Sequence, residues 1–478
     1  MNKMDYWDLR TVVKDLVPRS VRWSRASDYE QRGLVEEKGR KRNYQEGDLF
    51  RGEHLRKERL LNTEEMNSFL EVSLRAQACP LPLNIDTWDG FTCPYNCIYC
   101  YANCFRASLY SSFFDNARLM GLRHCNPDFF KRELDRLFAL RGRPAQAGNE
   151  TARAVAMEVP MRFGIRFEDF IAREGRDQVS LALLRYLAAE AYPVMINTKS
   201  ALVGREDYVR ALADNKAGAA VHLTMITGSE PLRRRLESGA PSFEQRLEAC
   251  RALIQAGVKV VARIEPFMAF INDDRADTDH YIERLKWAGV KHLTFDTYSY
   301  SANNPGIEEG YFRVGLDFRR MFLIMSDCQW LGSLMLGRFM DHFRERGFSC
   351  STFDFGNVPS NDSDLCCSVD SQFLAGGYNR GNILTAARWV IRQKGARARW
   401  RDFATWVGEG GGFLSTTIQT AVQRLWNLEE RNGYQMDWIP GFKPHGPDQD
   451  GMMVWSYSAG TGDFREQMLT ALMRGEEL

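Results

Sequence analysis

Four cysteines lie within twelve positions of one another, at Cys93, Cys97, Cys100 and Cys104. Thiols this close could bind zinc, form disulfides or hold an iron–sulfur cluster. Structural zinc sites usually combine two pairs of ligands across a longer loop, and no second pair follows here within that distance. The first three cysteines have the spacing CxxxCxxC, in which each thiolate can bind one iron of a 4Fe-4S cube and leave the fourth iron open. The spacing therefore favours a catalytic 4Fe-4S cluster, with Cys104 as a surplus thiol.

The whole chain has the composition of a large globular protein. Its 478 residues are 44% hydrophobic and carry a formal net charge of +1, so no overall field points to nucleic acid or a membrane. The first residues lack the apolar core of a signal peptide, and no run of eighteen or more apolar residues occurs. We therefore expect a cytoplasmic protein without membrane spans, whose eleven cysteines stay reduced.

Short apolar runs alternate with stretches of helical periodicity from about residue 84 onward. The runs predict six strands, at residues 84–88, 154–159, 194–197, 219–226, 258–264 and 292–298. Helices are predicted at residues 128–140, 177–191 and 242–257, and Cys250 falls on the buried stripe of the third. The alternation predicts an α/β fold with parallel strands, either an open doubly wound sheet or a full or partial barrel. In both cases the chemistry should follow the carboxyl ends of the strands.

Three domains are predicted, at residues 1–79, 80–375 and 376–478. The first is an extension whose residues 19–59 hold 12 Lys or Arg against 8 Asp or Glu. A solvated extension is favoured there over an arm that binds nucleic acid.

The third domain is predicted to be a smaller α+β module. Residues 388–401 carry six basic residues, no acidic residue and two tryptophans, and a helical pattern at 416–434 precedes a hairpin candidate at 436–457. Helix, helix and hairpin is the order of a winged-helix module, whose second helix would enter a groove of nucleic acid. A cap over the mouth of a barrel fits the same order equally well.

Three segments together resemble a known family: CPYNCIYCYAN, INTKSALVGRED and RRRLESGAPSFEQRLEACRALIQAGVKVVARIEPFM. They are similar to the radical S-adenosylmethionine superfamily and, within it, to the spore photoproduct lyase-like group, often labelled DNA repair photolyases. The resemblance covers roughly residues 80–300. It implies a partial (β/α)6 TIM-type barrel in which Cys93, Cys97 and Cys100 bind a 4Fe-4S cluster. S-adenosylmethionine would chelate the open iron, and an electron donor such as flavodoxin or ferredoxin would drive its cleavage to methionine and a 5′-deoxyadenosyl radical.

The same resemblance implies a set of residues that bind the cofactor. Glu168 would accept the methionyl amine, although the segment departs from the usual Gly-Gly-Glu pattern. The full set predicted to bind the cofactor is Tyr99, Arg166, Glu168, Thr198, Lys199, Ser200, Thr224, Arg263 and Glu265. Glu237 and Arg246 are interpreted instead as an internal ion pair.

Repair lyases of this group return a hydrogen through a cysteine thiol aided by tyrosines, yet residues 126–249 contain no cysteine. Thiols that could replace it are Cys104, Cys125, Cys366 and Cys367. The catalytic candidates are Cys104, Tyr101, Lys199, Tyr298 and Cys367. An auxiliary iron–sulfur cluster is a further hypothesis, with candidate ligands Cys328, Cys350, Cys366 and Cys367, but packing or a lone hydrogen-donor thiol is favoured.

The function favoured by these patterns is hydrogen abstraction from a thymine-derived base in DNA. Base hypermodification or isomerisation ranks above lesion repair because of the missing cysteine. A base inside a duplex would have to be flipped out, and the basic, tryptophan-bearing segment would hold phosphates and stack on bases. Alternatives are a radical enzyme acting on a peptide or small metabolite, and a metal-binding module without catalysis.

Overall fold

The structure is a computed structural model that describes part of the chain. The described residues are 4–20, 65–66, 70–72, 76–90, 93–100, 122–165, 167–298, 311, 313–316, 318–363, 365–369, 380–409, 412–430, 434–460 and 463–476. Within them, no helix is long and apolar enough to cross a membrane.

Thirteen strands are present in the described residues. They are β1 (Glu65–Met66), β2 (Leu70–Val72), β3 (Leu83–Ile85), β4 (Trp88–Asp89), β5 (Arg123–Cys125), β6 (Met161–Phe163), β7 (Val194–Thr198), β8 (Ala219–Thr224), β9 (Lys259–Phe267), β10 (His292–Thr297), β11 (Ser349–Thr352), β12 (Phe442–Pro447) and β13 (Met453–Tyr457). The α-helices of the same residues are α1 (Tyr6–Ser20), α2 (Pro127–Phe138), α3 (Glu150–Ala156), α4 (Glu174–Asp177), α5 (Val179–Ala189), α6 (Glu206–Ala213), α7 (Glu230–Leu236), α8 (Phe243–Gln255), α9 (Arg275–Ala288), α10 (Arg319–Phe322), α11 (Gln329–Arg344), α12 (Ile383–Arg392), α13 (Trp400–Glu409), α14 (Thr416–Trp426) and α15 (Phe464–Met473).

The main sheet of the described residues has eight strands in the order β11-β10-β9-β8-β7-β6-β3-β2. Seven of these strands, β3 and β6 to β11, run parallel to one another. Strand β2 pairs antiparallel with β3 at the edge of the sheet. The parallel strands follow chain order without a reversal, whereas a doubly wound sheet reverses its order at a switch point. Of the two predicted architectures, the partial TIM-type barrel is the one that this order supports. It has seven parallel strands rather than the predicted six, because β11 was not predicted.

The two faces of the parallel sheet differ in chemistry. On β8, Val221 and Leu223 point into the large apolar core shared with the helices, while His222 and Thr224 lie on the opposite face. Because register pairs Thr224 with Arg263 and Arg263 with Thr294, this opposite face is polar across three strands. We call it the lumen face.

The predicted strand at residues 154–159 is wrong. Those residues are the end of α3 and the turn after it, and the strand follows at Met161–Phe163. The side chain of Asn149 accepts from the backbone N–H of Ala152 and caps the helix, whose alanines favour helical backbone. The predicted strand at 84–88 is also split, since Trp88 belongs to a separate small sheet with order β1-β5-β4.

The other predicted elements agree with the structure within a few residues. The predicted strands at 194–197, 219–226, 258–264 and 292–298 are β7, β8, β9 and β10, and the predicted helices at 128–140, 177–191 and 242–257 are α2, α5 and α8. Helix α8 begins with a capping box between Ser242 and Gln245. Cys250 on this helix is fully buried, as its position on the apolar stripe predicted.

Helix α1 packs against α11 on the barrel. The hydroxyl of Tyr6 donates to Asp273, and Arg10 Nε lies 3.0 Å from Asp273 Oδ2. The first turns of the predicted N-terminal extension therefore contact the central domain. Most of the basic stretch predicted at residues 19–59 lies outside the described residues.

Helices α12, α13 and α14 and the hairpin β12–β13 share a second apolar core. Ala398, between α12 and α13, pairs antiparallel with Trp455 on β13. Trp389 and Trp400 of the basic segment are 8% and 6% exposed and belong to this core. The prediction that these two tryptophans stack on bases is therefore wrong, because their rings are buried in the module itself.

Candidate functional site

The cysteine loop of residues 93–100 follows the β3–β4 segment and is hydrogen-bonded to the end of α7 and the residues after it. The backbone N–H of Ile98 donates to Leu236 O at 3.0 Å, and the N–H of Gly239 donates to Tyr95 O at 3.1 Å. A side chain at position 239 would come within 2.0 Å of the carbonyl oxygen of Pro94. Glycine is required there because the two backbones approach so closely.

The three thiols of the loop differ in exposure. Cys97 is buried, while Cys93 and Cys100 are half-buried. Burial raises the pKa of the Cys97 thiol well above its usual value, and the nearby Lys199 opposes that effect.

Among the described residues, no three His, Cys, Asp or Glu side chains are placed to hold a metal ion. A 4Fe-4S cube makes a different demand, since each thiolate binds a separate iron. The donor types, their spacing and a cation beside them fit such a cluster.

Tyr99 begins a buried chain of polar contacts that runs beneath the cysteine loop. Its hydroxyl donates to Glu237, whose Oε2 lies 2.5 Å from Arg246 Nη2. Arg246 Nη1 also donates to the carbonyl oxygen of Thr224 at the end of β8, at 2.8 Å. Burial raises the pKa of Glu237, but Arg246 and Lys199 outweigh it and the net shift is downward. The predicted ion pair between Glu237 and Arg246 is present, and it connects the loop to the sheet.

Lys199 follows β7 and points toward the cysteine loop. Its Nζ lies 5.6 Å from the centre of the Tyr99 ring. Burial disfavours the charged ammonium, but Cys97 and Glu237 outweigh it and raise the pKa of Lys199. An ammonium group therefore lies beside the cysteine loop, in surroundings that favour its charged form.

Glu168 lies in the loop after β6 and contacts the neighbouring strand end. It accepts hydrogen bonds from Thr198 Oγ1 at 2.5 Å, the backbone N–H of Lys199 at 2.9 Å and the backbone N–H of Phe170 at 3.1 Å. Burial raises the pKa of the Glu168 carboxyl, while these donors oppose the rise. The carboxylate thus fixes the turn that carries Lys199. Within that turn, Ser200 Oγ accepts from the N–H of Leu202 at 3.1 Å.

Asp169 is a residue of this region that the sequence analysis missed. Its carboxylate accepts from the backbone N–H groups of Thr87 at 2.6 Å, Trp88 at 3.1 Å and Gly164 at 2.6 Å. These bonds join the end of β3 to the loop after β6, and so hold the cysteine segment beside Glu168. The only signal for it in the sequence is that two acidic residues, Glu168 and Asp169, are adjacent in the loop that follows β6.

Arg263 and Glu265 form an ion pair at the end of β9. Thr294 Oγ1 on β10 lies 3.1 Å from Glu265 Oε1 and 3.0 Å from the carbonyl oxygen of Cys366. The lumen face of the sheet is therefore covered here by the segment 365–369.

The two cysteines of that segment have different surroundings. Cys367 packs in a small apolar cluster with Leu81, Met195 and Ala220. The Cys366 thiol contacts the Cys367 side chain and lies near Arg388, and both interactions lower its pKa. Cys366 rather than the predicted Cys367 is thus the thiol that faces the charged strand ends.

The predicted auxiliary ligands are not gathered in one place within the described residues. Cys350 is buried on the helix side of the sheet, where its Sγ lies 3.7 Å from Met340 O. Cys366 and Cys367 lie on the lumen side, which separates them from Cys350 by the sheet. An auxiliary cluster on all four predicted cysteines is therefore incompatible with this fold.

Other predicted residues lie away from the loop or cannot be described. Tyr298 follows β10 and packs edge-on against Tyr311, with ring centres 6.4 Å apart. Tyr101, Cys104 and Arg166 lie outside the described residues.

The buried polar atoms of the lumen face that lack a hydrogen-bond partner within the described part of the chain include two on neighbouring residues. They are Asn197 Oδ1 and His222 Nε2, on residues that pair across β7 and β8. Burial, together with Arg263 and His292, holds the pKa of His222 well below its usual value. A neutral imidazole and an amide thus lie side by side below the strand ends.

No family model matches the chain. Over 131 residues it is 26% identical to uncharacterized proteins of Mycobacterium bovis and Mycobacterium tuberculosis, a match that covers 27% of this chain and 38% of theirs. The chain therefore spans well under half the length of the curated relatives it matches.

Three solved structures show a partial likeness. Spore photoproduct lyase complexed with dinucleoside spore photoproduct is 19% identical, with a TM-score of 0.34 over 50% of this chain and 63% of that one. A mutant of that lyase with bound AdoMet and the same dinucleoside is 17% identical, with a TM-score of 0.38 over 58% and 78%. Streptococcus suis SuiB bound to S-adenosylmethionine is 12% identical, with a TM-score of 0.36 over 57% and 51%. At TM-scores this low, the likenesses establish neither a shared fold nor a shared activity.

Proposed function

We propose that this protein is a radical S-adenosylmethionine enzyme. The observation that carries the proposal is the CxxxCxxC loop at one end of a parallel sheet, held against Lys199 and the chain from Tyr99 through Glu237 to Arg246. Barrel enzymes have their active sites at the carboxyl ends of the strands. The sequence resemblance points to the same class.

Cys93, Cys97 and Cys100 would hold the cluster. When bound, such a cluster would supply the electron for reductive cleavage of S-adenosylmethionine. Lys199 offsets the negative charge of the thiolates, which would otherwise be costly so close to a buried carboxylate. The chain from Tyr99 to Arg246 anchors the loop so that the thiols keep their positions.

The remaining residues proposed to bind the cofactor line the same strand ends. Glu168 positions Lys199 through the backbone and keeps Thr198 oriented. Thr224 supplies the carbonyl that receives Arg246, and Arg263 with Glu265 offers a charged pair on the lumen face. Tyr99, Thr198, Lys199 and Ser200 complete this set as expected from the resemblance, which also implies Arg166, a residue outside the described part of the chain.

The substrate we propose is a thymine-derived base in DNA, which is hypermodified or isomerised rather than repaired. Support comes from the resemblance and from exposed basic residues in the C-terminal module, Arg397, Arg399 and Arg401 among them. If hydrogen is returned to the base, Cys366 is better placed than Cys367, because its thiol lies near Glu265 and Arg388. A peptide or a small metabolite is the alternative substrate class.

The test is formation of 5′-deoxyadenosine by anaerobically reconstituted, chemically reduced protein, with and without thymine-containing duplex DNA. Cys97→Ala should abolish the product, whereas Cys328→Ala, which removes a half-buried thiol outside the loop, should keep it. Stimulation by DNA supports the proposed substrate. Cleavage that DNA does not stimulate would favour a peptide or a small metabolite as the substrate. Equal activity of Cys97→Ala and Cys328→Ala would contradict the proposed cluster ligands.

A further inference from the structure

The elements of residues 383–457 follow one another in the order α12, Ala398, α13, α14, β12 and β13. Ala398 N–H donates to Trp455 O at 2.7 Å, and Trp455 N–H donates to Ala398 O at 3.0 Å. Ala398, the extended residue between α12 and α13, thus pairs with β13, the second strand of the hairpin. It lies on the edge of β13 that is not paired with β12. Three helices followed by a hairpin, with this added strand on its second strand, is the topology of a winged helix.

We infer that residues 383–457 form a winged-helix module that binds duplex DNA, with α14 as the helix that enters the major groove. This inference deepens the proposed function because it states how DNA would be held. The binding itself does not depend on radical chemistry.

Helix α14 has one buried and one exposed face. Val422, Leu425 and Trp426 are buried in the second apolar core. The opposite face carries Thr416, Thr417, Thr420 and Arg424, all exposed, with half-exposed Gln419 and Gln423 beside them. Helix α14 contains no acidic residue. Glutamine amides, arginine and threonine methyl groups are the side chains that read adenine, guanine and thymine in the major groove.

The exposed positive charge of the module is concentrated in one stretch, although the whole chain carries a net charge of only +1. Residues 383–457 hold nine Lys or Arg against seven Asp or Glu, and six of these cations lie in residues 388–401, which hold no acidic residue. Five of these cations are exposed near the junction of α12 and α13: Arg392, Lys394, Arg397, Arg399 and Arg401. Clustered exposed cations suit a phosphate backbone, and they bind it without sequence preference.

A polyanion fits this surface better than a protein partner does. The large apolar side chains exposed among the described residues are Trp287 and Met473, and both lie outside the module. The exposed surface of α14 is polar rather than apolar, and protein interfaces usually present an apolar centre. The hairpin offers exposed Lys443 on β12 and carries half-buried Asp448 and exposed Asp450 near its tip.

The module also contacts the barrel near the site. Arg388 on the inner side of α12 is 9% exposed and lies close enough to the Cys366 thiol to lower its pKa, as part of a group with Glu265 and Asp296. At the start of α14, Ser415 donates to Glu150 on α3. DNA on α14 would therefore be held by a module that packs against the strand ends.

The experiment is fluorescence anisotropy of the full-length apo-protein with a labelled random-sequence DNA duplex, across a salt series. Replacing Arg397, Arg399 and Arg401 together by alanine should remove three phosphate contacts. Each contact contributes about 0.9 to the slope of log affinity against log salt, so the slope should become less steep by about 2.7. Over a fourfold rise in salt, the variant should lose about 40-fold less affinity than the parent protein loses.

A matched triple variant, Arg136→Ala, Arg210→Ala and Arg234→Ala, removes three exposed cations from barrel helices and should leave the slope unchanged. Thr420→Glu on α14 should weaken binding at least tenfold, while Thr11→Glu, at an exposed position of α1, should not. Equal slopes for the two triple variants, or no binding by the parent protein, would overturn the inference. Formation of 5′-deoxyadenosine without DNA should persist in the module variants, so failure of the winged helix and failure of the radical chemistry are distinguishable.

Discussion

Replacing Arg246 by methionine would leave the carboxylate of Glu237 inside the protein without its nearest cation. The two side chains are 1% and 0% exposed, and Arg246 Nη2 lies 2.5 Å from Glu237 Oε2. Removing one partner of a buried pair costs about 3–5 kcal/mol, because the other charge stays buried. Lys199 also stabilises the carboxylate, so we expect Arg246→Met to lower the free energy of unfolding by about 3 kcal/mol, the lower end of this range.

Urea unfolding of the reduced apo-protein measures this loss, and Arg284→Met is the matched control. Arg284 pairs with Glu244 at the surface, where their side chains are 28% and 53% exposed. Exposed pairs contribute about 0–1 kcal/mol, so the control should change stability little. Adding Glu237→Gln to Arg246→Met should recover part of the loss, because the uncompensated charge is removed. Equal losses from the two arginine substitutions, or a double variant as unstable as the sum of the singles, would refute the reasoning.

Two further predictions concern the cysteine loop. Gly239→Ala should displace the loop from Pro94 and lower the iron bound per chain at least severalfold after reconstitution, while Gly148→Ala, whose side chain meets open space, should bind iron normally. Lys199→Met should reduce iron retention because the thiolates lose their compensating cation, whereas Lys286→Met on the surface of α9 should not. Colorimetric iron assay checks both, and iron contents equal to those of the matched controls would contradict them.

The parts of the fold that could be predicted are the segments in which apolar residues form a clear helical or strand pattern. Strands β7 to β10 are rich in apolar and β-branched residues and are mostly buried, which is the pattern expected of strands inside a sheet. Strand β11 was missed because its residues, Ser349–Thr352, are small and mostly polar, and its pairing with β10 is set by tertiary contacts. Residues 154–159 misled because a short apolar run does not distinguish a strand from a buried helix.

The candidate site also has features that the sequence predicts and contacts that only the fold reveals. The three thiols and their cluster could be proposed from spacing alone, and the resemblance pointed to Lys199. The contact between Tyr99 and Glu237 could not be predicted, since 138 positions separate them and only the fold brings them together. The roles of Trp389 and Trp400 were misjudged because a basic neighbourhood says nothing about which ring faces inward.

The central claim is that the CxxxCxxC loop holds a 4Fe-4S cluster that binds S-adenosylmethionine. Electron paramagnetic resonance of the reconstituted, reduced protein tests it most directly, recorded before and after addition of S-adenosylmethionine. We predict the signal of a reduced 4Fe-4S cluster that changes when S-adenosylmethionine is added, that is lost in Cys97→Ala and that persists in Cys328→Ala. A signal that S-adenosylmethionine leaves unchanged, or one that survives in Cys97→Ala, would contradict the claim.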